Sequence, residues 1–167
     1  MAGPLIITAG IAAEDLSWLE GLRRTYYPVE RNQVASHLTV FHALPPSAET
    51  EIRARLSRIV RQEAPKAMIV GLMDLGGGVA FRVVSNDLDR IRDELADQLL
   101  GLLDSQDRGG WRPHITIQNK VSPKLSRALK QSLENQFRPR PLRINGLGLN
   151  RYLGGPWEQL GTYKFRS

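Results

Sequence analysis

Two short segments, His37-Leu38-Thr39-Val40 and His114-Ile115-Thr116-Ile117, hold the residues of this chain best suited to proton transfer. Each sets a histidine two residues before a threonine in an apolar, β-branched run, the composition of a strand. Side chains of a strand alternate between its faces, so His37 shares a face with Thr39, and His114 with Thr116. The chain has 3 histidines, and two of them stand in this pattern. An imidazole titrates near pH ~6.5, so a facing pair can hold one neutral and one protonated ring near neutrality. The neutral ring takes a proton from an attacking hydroxyl or water, and the protonated ring gives one to the leaving oxygen. Each role is worth roughly 10²–10⁴ in rate. The threonine hydroxyls could donate to the non-bridging oxygens of a phosphodiester, where charge accumulates. This chemistry needs no metal.

The elements around the two segments repeat at one offset, 77 residues (114 less 37). Pro46 matches Pro123, Ile52 matches Leu129, Leu56 matches Leu133 and Val60 matches Phe137. The last three pairs are spaced by four, the apolar stripe of an amphipathic helix. Ser122 before Pro123 is a helix N-cap followed by a first-turn proline. After each helix come two extended runs around a glycine turn: residues 67–75 and 79–85 about Gly76-Gly77-Gly78, and 141–153 and 157–165 about Gly154-Gly155-Pro156. The glycine runs match no phosphate-binding loop and are read as turns. A first strand over 5–13, a first helix from Ala13 with Leu16, Leu19 and Leu22, and a longer helix capped by Asn86 with Leu88, Ile91, Leu95, Leu99 and Leu102 complete the order. An internal duplication with one histidine strand per half is the simplest account, and two lobes facing across a cleft are its expected geometry.

Composition sets bounds. A chain of 167 residues with 41% apolar content can bury one sizeable core, so residues 1–167 are expected to form a single bilobal domain. The absence of cysteine excludes disulfides and thiolate metal sites and fits a reducing, cytoplasmic setting. The apolar run 5–13 is too short to span a bilayer and lacks a basic leader, so no membrane association and no signal peptide are expected. Residues 1–107 hold 11 Lys+Arg and 15 Asp+Glu, a net of −4, and residues 108–167 hold 12 and 2, a net of +10. The second lobe is therefore expected to carry the positive potential and to attract phosphate-bearing ligands.

Further candidates surround the motifs. Phe41 and Gln118 each share strand parity with their histidine and threonine and are expected on the cleft face, Phe41 as a base-stacking ring. Tyr26, Tyr27 and Trp111 lie in segments leading into the two strands, where aromatic rings can form the mouth of a nucleotide cleft. Arg112 and Lys120 flank the second motif as phosphate-binding cations. His42, five residues beyond His37, falls on the opposite face of a regular strand and is read as a supporting histidine. A zinc site from His37, His42 and His114 lacks ligand spacing and neighbouring carboxylates, so no metal is expected.

The paired motifs, their spacing and the duplicated framework resemble the 2H phosphoesterase superfamily, in its 2′-5′ RNA ligase-like or RNA 2′,3′-cyclic phosphodiesterase branch. The resemblance runs from about Leu5 to Phe165. It implies an α+β, duplicated bilobal fold, with two antiparallel sheets facing across a central cleft and helices outside. It also implies a cofactor-free, metal-independent tetrad of His37, Thr39, His114 and Thr116. The implied substrate is RNA with a cyclic phosphate end or a small cyclic nucleotide, acted on by a monomer. The alternatives are 2′-5′ RNA ligase or 2′-5′ phosphodiesterase activity, and a non-catalytic RNA- or nucleotide-binding module. The segments after the motifs, Phe41-His42-Ala43 and Gln118-Asn119-Lys120, depart from the branch's common pattern, so a different substrate pocket is expected.

Overall fold

A long strand, β6 (Arg140–Tyr152), organises the molecule in this computed structural model, which describes residues 2–167. Its first part pairs with β3 (Lys66–Asp74) through Arg140–Arg143, and its remainder pairs with β1 (Leu5–Ile11) through Ile144–Arg151. β7 (Trp157–Lys164) runs back along the same strand after the Gly154 turn. The full order is β2-β1-β6-β3-β4-β5 with β7 also on β6, where β2 is Leu38–Leu44, β4 is Val79–Val84 and β5 is His114–Gln118. Every pairing between these strands is antiparallel. One sheet is therefore β2-β1-β6-β7, the other is β6-β3-β4-β5, and β6 belongs to both. The motif strands β2 and β5 lie at opposite ends of this path, yet they touch each other. The sheets thus fold back until their far edges meet, which is the expected α+β architecture.

The order of elements follows the sequence repeat, but the lobes do not follow the sequence halves. β3 and β4, from the first half, pair with the second motif strand; the C-terminal part of β6 and β7, from the second half, complete the sheet of the first. This corrects the expected charge asymmetry. The basic residues after position 107 are distributed over both sheets: Arg140 and Arg143 where β6 meets β3, Arg151 and Lys164 beside β1 and β7. Several are already neutralised, as where Arg151 binds Glu49 at 2.7 Å and Glu158 at 3.3 Å. The run of +10 in sequence does not become one basic lobe.

Among the described residues five α-helices cover the sheets: α1 (Ala13–Tyr26), α2 (Glu49–Ile59), α3 (Asn86–Gln98), α4 (Ser105–Arg108) and α5 (Pro123–Glu134). Leu19 of α1, Ile52 and Leu56 of α2, and Leu88 and Leu95 of α3 are fully buried, as the four-residue spacing requires. They meet Leu5, Ile7, Val79, Ile115 and Ile117 from the sheets. Each such side chain contributes about 1.5–3 kcal/mol relative to exposure. Ser122 caps α5 as expected, accepting from the Leu125 N–H at 3.2 Å. On α3 the cap is Ser85 rather than Asn86: its Oγ accepts from the Leu88 N–H at 3.0 Å and donates to the Lys66 carbonyl at 2.6 Å, tying the helix start to β3. Among the described residues, no helix is long and apolar enough to cross a membrane.

Candidate active site

His37 stands immediately before β2 and His114 opens β5. The two rings are held alike. Nδ1 of His37 lies 2.8 Å from the Ala35 carbonyl, and Nδ1 of His114 lies 2.8 Å from the Arg112 carbonyl, two residues back in each case. A carbonyl oxygen only accepts, so each Nδ1 carries a proton and donates it. Nε2 is then the nitrogen of each ring free to take or return a proton. His37, Thr39, His114 and Thr116 are half-buried, while Leu38, Val40, Ile115 and Ile117 between and beyond them are buried. Thr39 and His114, from opposite ends of the strand path, line one recess of about 190 Å³. His37 lines a second cavity, of about 500 Å³, with Ser36, Thr8, Asn150 and Trp157 among its walls.

Burial is the main cause that lowers the His37 pKa to about 4; the positive charge of Arg23 and the His114 and His42 rings act the same way, against the bond to Ala35. His37 is therefore neutral near neutral pH, with Nε2 unprotonated. Arg23 itself is buried and joins the two motifs. Its Nη1 donates to the Thr116 carbonyl at 2.8 Å, its Nη2 to the Val34 carbonyl at 2.9 Å, and its Nε to Asn32 Oδ1 at 3.1 Å. One guanidinium thus fixes the loop that delivers His37 against the strand that carries Thr116.

Both motif strands bulge just after their threonine. Ile7 pairs with Phe41 but Thr8 with Thr39; Val79 pairs with Gln118 but Ala80 with Thr116. An extra residue, Val40 in one strand and Ile117 in the other, breaks the alternation at equivalent places. The next side chain then turns from the cleft to the packed face. Phe41 is accordingly fully buried, under the Arg92 guanidinium at 4.7 Å, and Gln118 is 7% exposed with no hydrogen-bond partner for its Oε1 among the described residues. The expectation that both face the cleft does not hold, because it rested on an unbroken period of two. The same shift brings His42 to the cleft side, where it lines the recess with Thr39 and His114.

Trp111 and Arg112 also line that recess, and Trp111 Nε1 donates to the Thr39 carbonyl at 3.1 Å. Tyr27 lies against Arg23, whose guanidinium is 4.2 Å from its ring centre, and Tyr26 packs on the core. Lys120 is exposed in a left-handed turn at φ 63°, and its side chain makes no hydrogen bond or ion pair among the described residues. No three His, Cys, Asp or Glu side chains among the described residues converge as metal ligands would.

Sequence reasoning missed four contributors. Arg23 and Arg92 look like solvated helix charges until their burial is seen. Trp157, whose ring lies 4.5 Å from that of His37, comes from a strand 120 residues away (157 less 37). Arg82 sits directly across from His114 in the β4–β5 pairing and is exposed. Of these, only Arg82 left a readable signal: it alternates with buried Phe81 and Val83 in a strand of the same lobe.

A profile of the 2′-5′ RNA ligase superfamily matches residues 11–156, and the chain belongs to that superfamily. Solved structures share the fold across the whole chain. The crystal structure of TT0787 of Thermus thermophilus is 19% identical, with a TM-score of 0.67 over 98% of both chains. That of E. coli LigT complexed with 3′-AMP is 17% identical, with a TM-score of 0.64 over 100% of both. A structure described only as a phosphoesterase is 16% identical, with a TM-score of 0.65 over 100% of both. No curated protein matches the chain.

Proposed function

We propose that this protein is a metal-independent phosphodiesterase that hydrolyses 2′,3′-cyclic phosphates, on RNA ends or on small nucleotides. The reading is carried by one observation: two imidazoles from equivalent strands, each with Nδ1–H bonded to the carbonyl two residues back and Nε2 left for proton transfer. His37, held neutral, accepts the proton of the attacking water. The oxygen of that water bonds to phosphorus as the bond to the 2′ or 3′ oxygen breaks, and His114 protonates the departing oxygen. An arriving phosphate anion would raise the His37 pKa toward the working range, because a nearby negative charge favours the imidazolium. Thr39 and Thr116 donate to the non-bridging oxygens. The 500 Å³ cavity beside His37 is of the size that takes a nucleoside, within the roughly 300–1,000 Å³ of ligand pockets generally, and Trp157 offers a ring for stacking.

Joining or cleaving 2′-5′ linkages is the second reading, favoured by membership of the 2′-5′ RNA ligase superfamily. It uses the same groups with a ribose hydroxyl in place of water. The bound 3′-AMP of LigT supports a nucleotide ligand for this site. Incubation with the four 2′,3′-cyclic mononucleotides and with a cyclic-phosphate-ended oligonucleotide, with products separated by chromatography, tests the proposal. Ring-opened monophosphates are expected; no turnover of any of these substrates by well-folded protein would overturn it.

A further inference from the structure

His42 is the histidine outside the paired motifs, and its surroundings are those of a built binding group. Asp107, 1% exposed, holds it: Oδ1 lies 3.1 Å from the ring Nδ1, and the carboxylate also accepts the backbone N–H of His42 at 2.8 and 3.0 Å and that of Ala43 at 3.0 Å. Burial alone would raise the Asp107 pKa, but these bonds outweigh it and the net displacement is downward, so the carboxylate stays ionised. Asp107 is fixed in turn. Its N–H donates to Asp104 Oδ1 at 2.9 Å, and its carbonyl accepts from Arg92 Nη2 at 2.8 Å. Arg92 Nε donates to the carbonyl of Val40, the bulge residue, at 3.1 Å. The bulge that turns His42 toward the cleft and the aspartate that orients its ring therefore share one anchor.

A histidine that served only to tie α4 to β2 would need no open space on its free side. Here 37% of the side chain is exposed, and it lines the recess shared by Thr39 and His114. At about 190 Å³ that recess is smaller than the roughly 300–1,000 Å³ of pockets that take whole small molecules, so it suits one phosphoryl group. The charged or titratable groups around the ring are Asp107 on α4, Arg92 on α3, Arg112 and His114 at the start of β5, and His37 nearby.

We propose that His42 is a third imidazole of the site, donating from Nε2 to a non-bridging oxygen of the phosphoryl group that Thr39 and His114 meet, with Asp107 as its positioning residue. A ring that donates through both nitrogens is the imidazolium, and the Asp107 carboxylate is the group that stabilises it. The assignment rests on reading the two motifs as phosphoryl-transfer groups.

With 3 histidines in the chain, each imidazole can be followed separately by NMR and assigned through single substitutions. Saturating inorganic phosphate is expected to raise the titration midpoint of His42 by at least ~1 pH unit, which corresponds to about tenfold tighter phosphate binding by its charged form. His42→Asn should weaken phosphate binding about tenfold below neutral pH and flatten its pH dependence. Asp107→Asn should do the same with the ring still present. If either variant melts early, the wild-type titration decides alone. A His42 signal indifferent to phosphate while His114 responds would overturn this assignment and leave the two-histidine reading intact. Indifference of all three rings would overturn both.

Discussion

Arg82 of β4 is the cross-strand partner of His114 of β5, so the guanidinium and the imidazole leave the sheet side by side on one face. Arg82 has no ion-pair partner among the described residues and is exposed, whereas Arg23 and Arg92 are already committed to protein acceptors. With Arg112, which lines the recess, it is a cation placed to meet a phosphate held at His114. Arg82→Gln should lower kcat/KM on a cyclic nucleotide about tenfold or more, since hydrogen bonds to charged groups contribute roughly 1.5–3 kcal/mol. Melting temperature should hardly change. An unaltered kcat/KM would show that the side chain is solvated throughout the reaction.

Removing either motif histidine should abolish most turnover without loss of fold. His37→Ala and His114→Ala are each expected to lower kcat by at least ~10², the lower end of a general acid or base contribution. Thr39→Val and Thr116→Val should lose less, and in kcat more than in KM, because each removes one donor to charge that develops in the transition state. Steady-state kinetics on circular-dichroism-verified protein checks both. A folded His37→Ala variant with near-normal turnover would sink the base assignment.

The depressed pKa of His37 fixes a pH dependence of stability with a definite sign. The folded state holds this ring at about 4, against ~6.5 in the unfolded chain, so between those values the unfolded state binds more protons. The contribution is complete above pH ~6.5 and is lost as pH falls toward 4. A His37→Asn variant lacks that contribution. Its melting temperature should therefore fall less than the wild type's across that window. Parallel curves would mean that the ring is as easily protonated in the fold as outside it.

Arg23 should matter to both stability and rate. Arg23→Met keeps much of the stem but strips donors from the Thr116 and Val34 carbonyls and from Asn32. Each buried acceptor left unpaired costs about 1–3 kcal/mol. Chemical denaturation should show a loss of that order, and the surviving folded enzyme should turn over more slowly because the His37 loop is no longer tied to β5.

Turnover should persist in excess EDTA, since every proposed proton transfer uses a side chain. Loss in chelator with recovery on adding zinc or manganese would replace the two-imidazole mechanism by one in which the histidines are ligands.

The sequence carried the elements better than their partners. The strand runs, the inner members of the helix stripes and the Ser122 cap lie where periodicity and capping place them, because those signals are local; the stripes' last members, Val60, Leu99, Leu102 and Phe137, fall beyond the helix ends at Ile59, Gln98 and Glu134. Phe41 and Gln118 show where local reasoning ends. A bulge is a property of a strand pair, invisible in either strand alone, and it reverses the facing of every residue beyond it. Trp157 shows a second limit: it lies beside His37 only because β7, from the second half of the chain, completes the sheet of the first motif. The match between motif positions 77 apart brought both motifs to notice, and the same symmetry places the two bulges at equivalent points. Their co-occurrence identifies the break in alternation as part of the design of the cleft.

The sharing of β6 between the sheets also sets a timetable for synthesis. The first motif strand leaves the ribosome well before the second, but its sheet lacks a second neighbour for β1 until residues 144–151 emerge, and an outer strand until 157–164 follow. The lobe encoded first is thus the last to be completed. Nascent chains halted after α5 would carry both histidines and all the residues of the tetrad, yet hold β1 against β2 alone. Catalytic competence should arrive abruptly, once residues 144–164 are available, rather than one lobe at a time.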